Sequence, residues 1–340
     1  MLKGFAQNWW NWLRYDPKDP RLNAGRNIKI AVIGGGTGLS NLIRGLKKYS
    51  NQISAIVAVT DDGASSGEIR KEYDILPPGD IRKCLSALAY DEELVGKIFE
   101  HRFNKKLFGG HTLGNIWITA LADIAGSFEK AIELSSEIFL TAGRVLPATL
   151  SKIDLVAEFE DGERMDGESF FVKSGKKISK VALDRKSIRA YAKSVSAIVE
   201  ADLIVIGPGS LYTSVIPNLL ISGIREAIKK SNAAKVYIAN CSTERGETEN
   251  YSIDDHIQAI ENHTSRKFFD YCLVNDKVLR RSIKSSKLGE VYNITTKKEE
   301  INGIKIVRAN LVNSKNPLYH DSVKLAKRVI ELYNEVRTKD

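Results

Sequence analysis

Cysteine is scarce in this chain: Cys84, Cys241 and Cys272 are the only three among 340 residues. So few, so widely spaced, exclude a disulfide framework or a zinc ribbon. Free thiols also fit a reducing compartment, so a cytoplasmic location is expected. No run approaches the ~20 apolar residues needed to span a bilayer. The N-terminus has no basic region followed by an apolar core and cleavage site, so no secretory leader is expected. Acidic residues are outnumbered, 42 Asp and Glu against 51 Lys and Arg, a formal charge of +9. That excess suits an anionic ligand, nucleic acid or an acidic membrane surface. The basic residues are dispersed and no aromatic-studded basic motif gathers them, so nucleic acid is not an expected partner. Two nucleotide signatures are missing as well. No Gly-Lys-Ser/Thr closes a P-loop, and Leu39 occupies the place of the third glycine of the dinucleotide fingerprint.

What the chain does have is Gly34-Gly35-Gly36-Thr37-Gly38-Leu39-Ser40 directly after the apolar run Ile28 to Ile33. Glycines at a strand-to-helix turn let backbone N–H groups approach an anion without a Cβ in the way, and the following helix adds its positive end. A nucleotide or phosphorylated sugar is the expected ligand. The next apolar run, Ile53 to Thr60, leads into Asp61-Asp62-Gly63-Ala64-Ser65-Ser66-Gly67. Open α/β sheets gather ligands at this carboxyl edge. Asp61 and Asp62 there can accept from ribose hydroxyls or hold a hard divalent cation such as Mg²⁺, while Ser65 and Ser66 can bond phosphate.

Three more loops repeat the pattern. In Pro77-Pro78-Gly79-Asp80-Ile81-Arg82, Asp80 is expected to cap the following helix. The Arg82 guanidinium is free to pair with phosphate or with Asp61 or Asp62. Gly109-Gly110-His111-Thr112-Leu113-Gly114-Asn115 sets a histidine between glycines at another helix entry. His111 there is placed for phosphate binding or proton exchange. Gly207-Pro208-Gly209-Ser210-Leu211-Tyr212-Thr213-Ser214 runs from a strand through a rigid turn toward Asn218, with hydroxyls at Ser210, Thr213 and Ser214 for a pyrophosphate-type ligand. The loop from Asn240 to Thr248 lies beyond the next strand and is expected to close the same crevice. Cys241 within it has no base beside it in sequence and is not read as a nucleophile. His101, His256, His263 and His320 are read as surface or packing residues.

Apolar runs and amphipathic stretches alternate after Asn27, predicting a Rossmann-like, mostly parallel sheet with helices on both faces. Period-two alternation over about residues 152–173 predicts an inserted β-hairpin, with Ser169 to Val172 as its second strand. Ser322 to Val336 predicts a terminal helix with Val323, Leu325, Ala326, Val329, Ile330 and Tyr333 on one stripe. One domain over residues 27–340 follows, preceded by an arm over residues 1–26. That arm carries Trp9, Trp10 and Trp12, three of the four tryptophans. It either packs on its own domain or rests on a membrane surface or protein partner.

The five motifs at residues 34–40, 61–67, 77–82, 110–115 and 207–214, in this order, resemble the YvcK/CofD family, in its YvcK branch, over about Ile28 to Asn275. Ala64 stands where the family has a second glycine, and Asn240-Cys241-Ser242-Thr243 where it has Asn-hydrophobic-Met-Thr. The resemblance implies a sheet that binds a nucleotide sugar, UDP-linked, with self-association and a bacterial role in gluconeogenic growth, cell-wall precursor balance and cell shape. The leading expectation is a regulatory binding protein without turnover. In it, Gly35 to Leu39 and Gly207 to Ser210 cradle phosphates, Asp61, Asp62 and Asp80 meet sugar hydroxyls or a cation, and Arg82 and His111 act as charge partners. The alternative is a metal-dependent transferase of phosphorus-containing groups, like the phospholactate branch, with Asp61 and Asp62 holding Mg²⁺.

Overall fold

Strand β1 (Ile30–Gly34) is buried along its whole length, as are β2 (Ile53–Val57) and β7 (Leu203–Ile206). Unbroken apolar runs of this kind belong to parallel strands covered on both faces. The computed structural model describes residues 28–104, 109–265, 267–277, 283–285 and 289–338. The arm carrying Trp9, Trp10 and Trp12 lies outside the described residues. Among the described residues no helix is long and apolar enough to cross a membrane.

Among the described residues β10 (Ile283–Ser285) and β11 (Gly289–Val291) pair antiparallel outside the main sheet, which itself has eight strands. With β3 (Arg144–Pro147), β8 (Ala234–Ile238), β9 (Tyr271–Asn275), β12 (Glu300–Ile301) and β13 (Ile304–Ala309), its order is β12-β13-β9-β8-β7-β1-β2-β3. Every pairing is parallel except that of the edge strand β12 with β13. Chain order runs outward from β1 through β2 to β3 on one side and from β7 through β8 and β9 on the other. The direction of winding therefore reverses between β1 and β7, and the crevice outside their carboxyl ends is where a doubly wound sheet binds ligands.

Helix α1 (Gly36–Leu46) follows β1 and buries Leu39, Leu42, Ile43 and Leu46. The terminal helix, α12 (Ser322–Arg337), crosses it so closely that a Cβ on Gly45 would stand 2.1 Å from the Ser322 carbonyl oxygen. Of the stripe expected on α12, Leu325, Ala326, Val329 and Ile330 are buried, but Val323 is 47% exposed. Helices α2 (Ala64–Glu72), α3 (Gly79–Leu88), α4 (Glu92–Glu100), α5 (Leu113–Ala125) and α6 (Phe128–Ile138) lie between β2 and β3 in sequence.

The inserted segment differs from expectation. Strands β4 (Leu155–Phe159) and β5 (Arg164–Asp166) do form a hairpin, but residues 168–174 fold as a short helix, α7 (Glu168–Ser174). Strand β6 (Ile178–Leu183) then completes a three-stranded antiparallel sheet, β5-β4-β6. The two phenylalanines explain the misreading: Phe171 is fully buried while Phe170 is 61% exposed, a contrast that a strand and a single helical turn share. Among the described residues the remaining α-helices are α8 (Ala192–Val199), α9 (Ile216–Leu220), α10 (Ser222–Lys230) and α11 (Ile253–His263).

Candidate functional site

The two glycine loops meet at the β1/β7 reversal, backbone against backbone. A Cβ on Gly38 would lie 2.5 Å from the Pro208 carbonyl oxygen, so only glycine permits this approach. Gly36 has φ +64°, in the left-handed region that favours glycine. The amides of Thr37 and Gly38 belong to the first turn of α1 and have no carbonyl four residues back within the helix. They border a cavity of about 390 Å³, together with Gly35, Gly36, Pro208, Gly209, Ser210, Thr213 and Ser214. Tyr212, Thr213 and Ser214 lie on a five-residue π-turn, Leu211–Val215, a local form that often marks functional positions.

The wall on the β2 side is acidic. Asp80 caps a helix other than its own. Its Oδ2 accepts from the Gly36 amide at 2.5 Å, capping α1 from the side, and its Oδ1 pairs with Lys83 Nζ at 2.8 Å. The expectation that Asp80 caps α3 is thus corrected, because α3 begins at Gly79 behind the N-cap residue Pro78. Asp61 Oδ1 accepts from the Gly63 amide at 3.0 Å. Burial and the negative charge of Asp80 hold the Asp61 carboxyl above its usual range, against the Gly63 amide, Lys83 and Ser66, which pull it down. Asp62 reaches the other way, where its Oδ1 accepts from the Ser169 amide at 2.8 Å and ties α7 to the cavity. Through α7, Glu168, Ser169 and Lys173 enter the wall. Burial, then Asp61 and Glu247, push the half-buried Glu168 carboxyl well up.

The opposite wall comes from the loop after β8. Asn240 to Glu244 and Glu247 all border the cavity, as the sequence predicts for that loop. Asn240 clamps the second glycine turn, accepting from the Gly209 amide at 3.3 Å and donating to its carbonyl at 3.0 Å. Glu244 accepts from Ser210 Oγ at 2.9 Å. Glu247 accepts from the Tyr212 amide at 3.0 Å and from Thr213 Oγ1 at 2.9 Å. Cys241 is buried and its thiol is pushed up by burial, so no thiolate nucleophile forms there near neutral pH.

A family model described as 2-phospho-L-lactate transferase CofD matches residues 30–312. The chain belongs to the CofD family. Among its CofD-family relatives, the gluconeogenesis factor of Bacillus subtilis is 43% identical over 316 residues, covering 92% of this chain and all of the relative. The gluconeogenesis factor of Halalkalibacterium halodurans is 48% identical over 257 residues, 75% of this chain and 80% of the relative. A crystal structure of a Bacillus halodurans protein superposes with a TM-score of 0.84 at 41% identity, over 90% of this chain and all of that one.

Against this CofD-family site, several sequence candidates stand back from the cavity. Leu39 is fully buried in the core. Arg82 is turned away: its Nη1 pairs with Glu100 Oε1 at 2.6 Å and bonds the Phe99 carbonyl at 3.2 Å, while its methylenes fill the space a Cβ on Gly114 would need. It joins α3 to α4 and is no charge partner of Asp61 or Asp62. His111 Nδ1 lies 2.9 Å from Ser65 Oγ, and Asn115 Nδ2 donates to the same oxygen at 3.0 Å. The three fasten the loop before α5 to the start of α2. Gly79 makes room for Ser66, whose Oγ would stand 2.3 Å from a Cβ there. Asn218 donates to the carbonyls of Gly34 and Ser214, and Gly207, φ +77°, turns the chain behind the cradle. None of these nine borders the cavity.

Sequence reading missed Asn41, Lys83, Glu168, Lys173 and His320 among the bordering residues. His320, read as a packing residue, is brought there by the turn before α12. Its Nε2 and the Oγ1 of Thr60 are buried without a hydrogen-bond partner among the described residues. Lys83 was legible, lying one helical turn after Asp80. His320 gave no local signal, since only the β13 crossover delivers it.

For a divalent cation the fit is partial. Among the described residues no three His, Cys, Asp or Glu side chains are placed to hold a metal ion together. Asp62 keeps one carboxylate oxygen outside the bonds above and Asp61 is also bonded by Ser66, while Mg²⁺ is commonly held by one or two carboxylates with substrate phosphates and water completing its shell.

Proposed function

We infer that the cavity binds the diphosphate of a nucleotide sugar, UDP-linked, and that the protein acts as a regulatory binding protein of carbon metabolism rather than turning its ligand over. The contact that carries this reading is Gly38 against Pro208, which brings two phosphate-sized turns together where the sheet reverses. The first-turn amides of Thr37 and Gly38 offer donors to one phosphate. The π-turn carries the donors for the other. The carboxylates of the β2-side wall suit sugar hydroxyls, which need acceptors. Support for the cellular role comes from relatives named gluconeogenesis factor that match 75–92% of the chain. Effects on cell-wall precursors and cell shape belong to the same proposal.

A second reading has an observation of its own. Asp61, Asp80 and Glu168 crowd one wall beside Lys83, and the matching family model carries a transferase description. Asp61 and Asp62 would hold the Mg²⁺, which would supply Lewis-acid stabilisation of developing charge. In that reading Lys83 orients the transferred group.

Calorimetry with UDP-, GDP- and ADP-sugars, with and without Mg²⁺, on the wild type and Gly38→Val separates the two, with mass spectrometry of the mixtures. Binding of UDP-sugars without product, lost in Gly38→Val, is the expected result. Mg²⁺-dependent turnover of a GDP-linked substrate would transfer the assignment to the transferase.

A further inference from the structure

The second glycine loop already holds an anion of the chain's own. Glu247 is 5% exposed, and its two oxygens take the Tyr212 amide and the Thr213 hydroxyl, donors on the turn that borders the cavity. Asp80 plays the matching part at the first loop, but with Lys83 beside it. Glu247 has no ion pair among the described residues; only neutral dipoles hold it. Its ionisable neighbours are of the wrong kind to hold a negative charge. From its own loop it faces Glu244, the largest charge acting on it; from α7, Glu168; from the π-turn, the phenol of Tyr212. Lys83 and Lys173 border the same cavity and neither pairs with it. A buried carboxylate in this setting binds its proton more tightly than usual, and an arriving phosphate strengthens that hold. Burial, followed by Glu244, raises the Glu247 carboxyl to about 8.

We propose that Glu247 takes up one proton from solvent when a ligand phosphate settles on the second glycine loop, so that ligand binding and protonation of this side chain are coupled. The carboxylate becomes a carboxylic acid, the loop loses one negative charge, and the Thr213 hydroxyl and Tyr212 amide are released to the phosphate. The proposal rests on the diphosphate reading above. At pH values where the side chain already holds its proton, below its raised titration, binding takes up little. Above it, each pH unit weakens binding by about tenfold, the slope for one coupled proton.

The test is calorimetry of UDP-glucose binding in two buffers of different ionisation enthalpy, at pH 6.5 and pH 8.8, for the wild type and Glu247→Gln. The expected result is uptake approaching one proton at pH 8.8 and little at pH 6.5 in the wild type, with neither uptake nor the pH slope in Glu247→Gln. Binding without uptake, or uptake that persists in Glu247→Gln, overturns the proposal while leaving the diphosphate reading intact. If neither UDP-glucose, a GDP-sugar nor inorganic pyrophosphate binds at either pH, the diphosphate reading falls and the proposal with it. Should Glu247→Gln fail to fold, Thr213→Val serves instead. It removes a donor that favours the charged form, so the onset of uptake moves to higher pH; an unmoved onset overturns the proposal.

Discussion

The two glycine loops are built alike and balanced differently. Each follows a central strand, each turns into a helix, and each has an amide taken by a carboxylate from elsewhere in the chain: Gly36 by Asp80, Tyr212 by Glu247. Asp80 has Lys83 at 2.8 Å, whereas Glu247 has only the backbone amides of Tyr212 and Thr213 and the Thr213 hydroxyl. Burial works against the Lys83 ammonium, yet Asp80 and Asp61 outweigh it and its affinity for a proton is raised. The first loop is therefore held by a carboxylate paired with a lysine, and the second by a carboxyl that the protein pushes toward neutrality. Similar backbone turns can thus give one permanently fixed cradle and one that responds to protons.

The largest effect is expected from breaking what the loops share. In Gly38→Val the new side chain meets the Pro208 carbonyl, and backbone cannot give way as a flexible side chain would. Forcing the turns apart costs about 2–4 kcal/mol of stability and removes measurable binding of nucleotide sugars. Thermal melting and calorimetry read the two losses. A stable Gly38→Val that binds normally would show that the loops do not need to touch.

Sharper is the pair of isosteric swaps, because they are expected to act with opposite sign. Asp80→Asn loses the ion pair to Lys83 and leaves that ammonium among fewer anions, costing about 1–2 kcal/mol. Glu247→Gln removes an unfavourable charge. A carboxyl that holds its proton more tightly in the folded than the unfolded chain penalises folding increasingly as pH rises from its ordinary value of 4.5 to about 8, and by a constant amount above that. Glu247→Gln therefore melts higher than the wild type at pH 9, each unit of upward shift being worth about 1.4 kcal/mol. The gain shrinks toward pH 5. Melting curves at pH 5, 7 and 9 check both variants. A Glu247→Gln that is less stable at pH 9 than at pH 5, relative to wild type, would mean the carboxylate is held as firmly as Asp80.

Much of this frame was legible in the sequence. The apolar run Ile28 to Ile33 announced a strand, found as β1, and the strand expected before the turn at residues 207–209 is β7. Both glycine loops, and the loop after β8, were placed where the structure has them. Other elements left weaker traces. Strand β3 has only four residues, and α2 lacks an apolar stripe, carrying Glu68, Arg70, Lys71 and Glu72 on its turns. Residues 168–174 were too short to separate a strand from a turn of helix. At the site, motif membership misled for Arg82 and His111. Both adjoin glycines as ligand-binding residues do, but Gly114 makes room for the Arg82 side chain, and Gly109 for the His111 ring, 2.8 Å from where its Cβ would stand. Side-chain direction decides such cases, and sequence spacing does not contain it.

That distinction yields the smallest predicted effect. His111 lies off the cavity, and its ring anchors Ser65 at the start of α2, with Glu68 Oε2 4.0 Å away. His111→Ala leaves the Ser65 hydroxyl with Asn115 Nδ2 as its remaining partner here, a loss of about 1 kcal/mol for one neutral hydrogen bond. The Asp61-Asp62 turn just ahead of Ser65 keeps its own ties to the Gly63 and Ser169 amides, so the acidic wall stays in place. Ligand affinity is therefore expected to change by less than about threefold, a shift of roughly 0.6 kcal/mol, while the melting temperature falls by a few degrees. Calorimetry beside a melting curve separates the two quantities. An affinity loss beyond tenfold with little change in melting would bring His111 into contact with the ligand. The first glycine loop would then have a titratable partner of its own, and the contrast with Glu247 would disappear.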